Sequence, residues 1–270
     1  MSPWTDTLRR ARRVFLLVFF LESAYRVEVA VFGGILVARI FLFTVLWTAL
    51  YQPGQVSGGM TVEQAIGYSV LAAILEGHRD VAHIVDSFPV RIRDGTVGYL
   101  FVRPISPMAS YWMLNAGAIA YRFAWIVFGA AIATAVGLLP VPASPAVLGL
   151  SVISLLIAEM VVVYLDLFVQ LIAFWTIESW GIFPVYWFII QVLSGSLVPL
   201  WFFPSWAQTV LLALPFAAAA STPVSLYVGR IAPSDAAVAI ALQIFWLVVL
   251  GLLAQLAWRR AERRVVVQGG

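Results

Sequence analysis

The sequence lacks cysteine and lysine altogether, and it contains only two histidines. Without cysteine there is no disulfide, thiol nucleophile or thiolate metal site. The loop that cradles nucleotide phosphates needs a lysine after its glycines, so this chain cannot carry that loop. His78 and His83 are five residues apart on a predicted helix, so they do not share a face as the histidines of a zinc helix do. We therefore expect neither a metal site nor a nucleotide site in this chain.

Charged side chains are also scarce: they make up 11% of the 270 residues, against 63% hydrophobic residues. That leaves too little polar surface to cover a water-soluble globule. Six apolar runs reach the ~20 residues that a membrane-spanning helix needs. They do not alternate as barrel strands would. The predicted spans are Val27–Tyr51, Val62 to about Val85, Ala109–Leu138, Ala146–Thr176, Ile182–Phe203 and Ala236–Trp258. The sequence thus predicts an all-α membrane protein with six transmembrane helices in one domain, residues 1–270.

The arginines indicate how these spans are oriented. They cluster before the first span, between the second and third, and after the sixth, whereas the remaining loops hold only Arg230. Basic residues are enriched in cytoplasmic loops. We therefore expect both termini to be cytoplasmic, in a multi-pass protein of the cell (inner) membrane.

Two apolar segments do not fit a simple span. Residues 1–26 combine an apolar helical face with the four arginines of residues 9–13, which predicts an amphipathic helix lying on the inner leaflet, in contact with membrane lipids. An inward extension of the first span is the alternative. Residues 204–235 are broken by Pro215 and Pro223, which interrupt helices. Counting a seventh span there would put the C-terminal arginines outside, so we predict two short helices that re-enter from the outer face.

Four of the charged residues within the predicted spans lie on the first, third and fourth spans at membrane depth, where a charge is costly and normally paired or functional. Counted along the helices, Arg39 lies at the depth of Glu159, and Arg122 lies at the depth of Asp166. We expect two structural ion pairs, Arg39 with Glu159 and Arg122 with Asp166. The alternative is that these charges line a polar substrate path.

Two motifs carry a family resemblance. One is IRDGTVGYLFVRPIS at residues 92–106, and the other is LSGSLVPLWFFP at residues 193–204, followed by Leu214-Pro215-Phe216. In this order and on this topology, they resemble the permease subunits of type-2 ATP-binding-cassette exporters. The resemblance covers essentially the whole chain. In that family the first motif marks the loop between spans two and three, and the second marks the outer end of span five.

The resemblance implies that residues 86–107 form a cytoplasmic coupling segment that docks on a separate ATPase subunit. The implied coupling residues are Ile92, Arg93, Asp94, Gly95, Val97, Tyr99, Leu100, Phe101, Arg103 and Pro104. The second motif implies an outer gate formed by Ser194, Gly195, Pro199, Phe203, Pro204 and Pro215. The chain itself would bind no cofactor, because the ATPase holds ATP and magnesium. It would work beside a second permease, identical or paralogous, without a nucleic-acid partner. The apolar spans favour a small amphiphilic, drug-like or lipid-like substrate, with a glycan as the alternative.

Two other functions remain open. Glu76, Arg79, Asp80 and His83 follow one another at three- and four-residue steps on one helical stripe. A solvated stripe explains them, but Glu76 and His83 would also suit a proton-coupled secondary transporter. An intramembrane enzyme would need convergent nucleophiles and acids. The sequence offers no such set, and we expect that the chain is not an enzyme by itself.

Overall fold

The computed structural model describes residues 26–52, 56–79, 88–102, 105–176 and 181–263, together with Leu16 and Phe20. The predicted interfacial helix 1–26 lies outside these residues apart from Leu16, Phe20 and Arg26. The helices are α1 (Arg26–Leu50), α2 (Val62–Arg79), α3 (Phe88–Arg93), α4 (Tyr99–Val102), α5 (Pro107–Ala135), α6 (Pro145–Thr176), α7 (Ile182–Leu193), α8 (Ser205–Ala213), α9 (Ser221–Tyr227) and α10 (Ala236–Glu262). Over the described residues the fold is all-α, as predicted.

Four of these helices are long and apolar enough to cross a membrane: the Gly33–Leu50 part of α1, then α5, α6 and α10. They correspond to the first, third, fourth and sixth predicted spans. α2 occupies the second and has 18 residues, but it is less apolar. α7 occupies the fifth and has only 12 residues. The chain is therefore an all-α, multi-pass membrane protein.

Local sequence sets the starts of α2 and α5. The Thr61 hydroxyl accepts from the Gln64 amide at 3.3 Å, and the Gln64 side chain accepts from the Thr61 amide at 3.0 Å. This reciprocal pair is a capping box, which satisfies amides that the first turn leaves unpaired. At α5, the Ser106 side chain accepts from the Ala109 amide at 3.2 Å, and Pro107 occupies the first turn. Proline suits that position because no helical partner is needed for its nitrogen.

The fifth span was predicted to extend to Phe203, and this is wrong. α7 ends at Leu193, because the backbone turns left-handed at Gly195, with φ of 79°. The Gly195 amide donates to the Val192 carbonyl at 3.3 Å and the Ser196 amide to the Gln191 carbonyl at 3.1 Å. These two bonds form the glycine motif that closes helix C-termini. The break therefore comes before Pro199 and Pro204, and the turn at Gly195 rather than a proline makes it.

α6 and α2 lie at the centre of the bundle. α6 packs against α10, α9 and α3. Half of its residues are buried, compared with 22% in α5 and α10. α2 packs against α1, α5 and α9, and its residues 70–76 are all buried. Among the helices of 18 or more residues, these two therefore have the least contact with the surroundings of the bundle.

The bundle has two distinct ends. Residues 194–230, which we call the cap, pack with α2 and the ends of α1 and α5 around an apolar cluster that includes Met60, Tyr68, Leu139 and Val224. The described part of residues 86–107 packs at the opposite end of α6 and α10, in a cluster that includes Phe88 and Trp258. We refer to these as the cap end and the Phe88 end.

Candidate functional sites

The described part of residues 86–107 folds as two short helices separated by a turn. α3 ends at Arg93, the turn contains Gly95 with φ of 69°, and a 3-10 turn at Thr96–Gly98 leads into α4. Arg93 and Asp94 form an exposed ion pair at 3.4 Å. Arg103 and Pro104 lie outside the described residues. An exposed pair of this kind stabilises little. Because both side chains are exposed, the pair lies on the solvent side of the segment.

The segment has two unlike faces. Leu100 is buried against the ends of α5, α6 and α10, and Ile92 and Val97 pack on the same cluster. Tyr99 and Val102 are exposed, at 67% and 82%. The family resemblance implied that Leu100 belongs to the docking residues, but it does not lie on the exposed surface. An apolar surface formed by Tyr99 and Val102 faces away from the bundle.

Phe88 joins the segment to the bundle. Its ring lies 5.7 Å from that of Tyr111 on α5, 6.1 Å from Phe174 on α6 and 5.1 Å from Trp258 on α10, between ring centroids. Only 5% of Phe88 is exposed. The sequence analysis missed it, although an aromatic residue in an otherwise charged segment was the available signal. A segment that connects α2 to α5 along the chain therefore packs largely on α6 and α10.

The cap is organised around Trp201. The indole Nε1 donates to Ser225 Oγ at 2.9 Å, and Gln208 Nε2 donates to the carbonyls of Trp201 at 3.0 Å and Phe203 at 2.7 Å. The Arg230 guanidinium lies over the indole ring, 4.1 Å from its centroid. These contacts hold the turn after α7, the start of α8 and the end of α9 together.

The cap also contacts the first two helices. The Tyr68 hydroxyl on α2 donates to the Gly195 carbonyl at 3.0 Å, and Gln64 Nε2 donates to the Val228 carbonyl at 3.2 Å. On α1, the Trp47 ring stacks on Phe202 with centroids 4.7 Å apart. Because the hydrogen bonds end on main-chain carbonyls, they depend on the path of the cap backbone.

A tight turn between α1 and α2 fits under the cap. Gly58 and Gly59 both have positive φ, and a β-carbon on Gly58 would lie 2.7 Å from the Trp201 carbonyl oxygen. The Tyr51 hydroxyl donates to the Ser57 and Met60 carbonyls, each at 3.2 Å. The turn is thus tied to α1 and closely packed against the cap.

The structure places all six predicted gate residues in the cap. Ser194, Gly195, Pro199 and Pro215 are buried, Phe203 is half-buried and Pro204 is exposed. The Ser194 carbonyl accepts from the Ser221 amide at 3.0 Å, which joins the end of α7 to the start of α9. The sequence analysis did not assign a role to Trp201, Gln208 or Arg230.

The buried charges pair differently from the prediction. Arg122 Nε donates to Glu159 Oε2 at 2.7 Å, and the two side chains are 6% and 0% exposed. Asp166 instead accepts from the Tyr186 hydroxyl at 2.6 Å. The predicted pairing of Arg122 with Asp166 is wrong, because counting residues gives depth along a helix but not the direction in which a side chain points.

Arg39 donates through Nη2 to Gln191 Oε1 at 2.6 Å, which connects α1 with α7. Its pairing with Glu159 stays a prediction, but Glu159 is already neutralised by Arg122. Glu76 is buried rather than solvated, whereas Asp80 and His83 lie outside the described residues. Among the described residues, no group of three or more histidines and carboxylates is placed as a metal site requires.

Comparison with known proteins gives one match. Residues 35–269 match a family model described as ABC-2 family transporter protein. No curated protein and no solved structure matches the chain. The matched residues include the cap, residues 86–107 and all ten helices except the beginning of α1.

Proposed function

The chain belongs to the ABC-2 transporter family, and from that premise we propose that it is the transmembrane subunit of an ATP-driven exporter. A separate ATPase subunit binds ATP and magnesium, since this chain has no lysine for a phosphate-binding loop. The chain is not an enzyme by itself. It works beside a second permease, identical or paralogous, in the cell membrane.

One observation carries the proposal: the described part of residues 86–107 buries one face against the bundle and exposes another. Tyr99 and Val102 are among the most exposed apolar residues of the described chain, and Arg91 and Arg93 end the neighbouring helix α3. Exposed apolar surface next to charge is typical of a protein interface. We expect the ATPase to offer an apolar groove with an acidic rim, because complementary charge favours the correct partner.

The proposed topology has six spans with both termini cytoplasmic and the cap at the outer face. α7 covers about 18 Å at 1.5 Å per residue, less than the ~30 Å hydrocarbon layer. The cap would complete that distance as a re-entrant segment. Irregular backbone is tolerated there only when protein covers it, and Ala217–Ala219 and most of α9 are buried. In this chain without cysteine, Val141→Cys and Glu262→Cys should label from opposite sides; labelling from the same side would refute this topology.

The cap is the proposed outer gate, and the substrate is a small amphiphile. The described helices expose many apolar side chains and the chain has no large polar domain between spans, which favours an apolar or amphiphilic cargo over a protein. A proton-coupled transporter would work in vesicles without the ATPase, driven by a pH gradient alone, and that result would replace the exporter proposal.

The docking proposal is tested by purifying the chain from its native membranes and measuring the ATPase that accompanies it. We expect Val102→Glu and Tyr99→Glu to remove most of the co-purifying ATPase without changing the amount of chain in the membrane. Val141→Glu is the matched control, because Val141 is 77% exposed on the loop between α5 and α6. Equal ATPase recovery from the Val102 and Val141 variants would contradict docking at residues 86–107.

A further inference from the structure

We propose that α6 and α10 move as one unit that carries motion from Phe88 to the cap, with Gln243 as the contact at the cap end. This inference rests on the proposed function, since it concerns how docking at residues 86–107 opens the gate. It assigns the transmission to helices that are distant in sequence from the docking segment.

The first step is the contact at the Phe88 end. The Phe88 ring is 5.1 Å from Trp258 on α10 and 6.1 Å from Phe174 on α6, between centroids. Phe174 and Trp258 also meet each other edge to face, at 6.1 Å. Because close-packed interiors transmit displacement rather than absorb it, a push on Phe88 reaches both helices together.

The second step is the contact between α6 and α10, the most extensive between any two described helices. Gly251 on α10 allows the two helices to lie this close, because a β-carbon there would lie only 3.0 Å from the Tyr164 hydroxyl oxygen on α6. Small residues let helices approach closely where there is no water to drive packing. The two helices are therefore held along their length and should move together.

The third step is the contact with the cap. The Gln243 side chain is 1% exposed. Its Oε1 accepts from Ser154 Oγ on α6 at 2.7 Å, and its Nε2 donates to the Ala218 carbonyl at 2.9 Å. Ala218 belongs to the cap. One buried amide thus joins α10, α6 and the cap, and an amide at this depth is costly unless each bond is kept.

A second bond strengthens this connection. Trp246, one turn further along α10, donates through Nε1 to the Ala213 carbonyl at the end of α8, at 2.8 Å. From Gln243 to Trp258 the helix rises about 22 Å, most of the hydrocarbon thickness. α10 therefore contacts the cap near one end and Phe88 near the other.

The test uses the complex with its co-purifying ATPase, reconstituted in lipid. Hydrogen–deuterium exchange of residues 194–230 is compared without nucleotide and after trapping with Mg-ATP and vanadate. In the unaltered complex, trapping should raise the exchange. In Phe88→Ala and Gln243→Leu the nucleotide-dependent rise should fall about tenfold, within the range of measured coupling factors. Phe128→Ala, at an exposed position of α5, is the matched control and should retain the rise.

The outcomes separate this inference from the proposed function. If no ATPase accompanies the unaltered chain, or trapping leaves its cap unchanged, the proposed function fails. If the unaltered complex responds and Gln243→Leu responds equally, the transmission proposal is overturned. Gln243 lies far from the docking surface, so its variant stays informative even if Phe88→Ala does not fold. Phe88→Tyr, which keeps the ring, should restore the response; a merely structural defect would instead lower thermal stability without changing the response.

Discussion

The Phe88 end is held mainly by ring packing, whereas the cap end combines apolar packing with several hydrogen bonds to main-chain carbonyls. At the Phe88 end, rings pack against rings, as with Phe88 on Trp258 and Tyr111. At the cap end, side chains of α2 and α10 donate to main-chain carbonyls, such as those of Gly195 and Ala218. Packing is non-directional and survives small displacements, whereas a hydrogen bond weakens steeply with angle. We therefore expect the Phe88 end to move as a unit and the cap end to open.

The largest effect that this comparison predicts comes from cross-linking each end. Gln64→Cys with Val228→Cys joins α2 to the cap at an existing contact, at 3.2 Å. A flexible thiol cross-linker there should abolish nucleotide-driven exchange of the cap in the reconstituted complex. Phe88→Cys with Trp258→Cys, cross-linked in the same way, should leave most of the nucleotide-driven exchange of the cap, because Phe88 and Trp258 move together in this proposal. The uncross-linked proteins serve as controls. Equal inhibition by both cross-links would remove the distinction between the ends.

The ion pair between the two ends gives the next effect. Arg122 and Glu159 are both buried, so Arg122→Met or Glu159→Gln removes the contact between them and leaves the other charge buried. Each single change should destabilise by about 3–5 kcal/mol, and the double change should cost less than their sum. Thermal unfolding in detergent measures this. If the single effects add, the pair does not interact energetically.

The smallest predicted effect comes from replacing two glycines of the cap with alanine. It distinguishes the cost of backbone strain from the cost of steric crowding. Gly195 and Gly229 have φ of 79° and 74°. A β-carbon on Gly195 would lie 2.7 Å from Leu200 Cγ, whereas nothing lies within 4 Å at Gly229. Gly229→Ala should cost about 1–2 kcal/mol, the cost of a left-handed residue. Gly195→Ala should cost more, because Leu200 must also shift. Equal melting temperatures of the two variants would contradict this, because they would show that the Leu200 side chain moves aside without lowering the free energy of unfolding.

How far the sequence predicted the site differs between the two ends. The motif at residues 92–106 predicts the proposed docking segment, but the buried contacts of that segment depend on Phe88, which the motif does not include. The motif at residues 193–204 located the cap, whereas Trp201 and Arg230 act through contacts with residues far along the chain. A turn can be predicted from residues that are neighbours in the sequence. The partners of an aromatic ring or a guanidinium cannot, because they come from distant parts of the chain.

The sequence by itself determined that this is an all-α membrane protein, because hydrophobicity and helix length are summed along the chain. It likewise predicts that a separate subunit binds the nucleotide, since lysine is absent; this stays a prediction. Only the tertiary structure decided that the described part of residues 86–107 packs on α6 and α10, and that Arg122 pairs with Glu159. Those partners depend on how each helix is rotated and which helix lies beside it, and the packing of the whole bundle sets both.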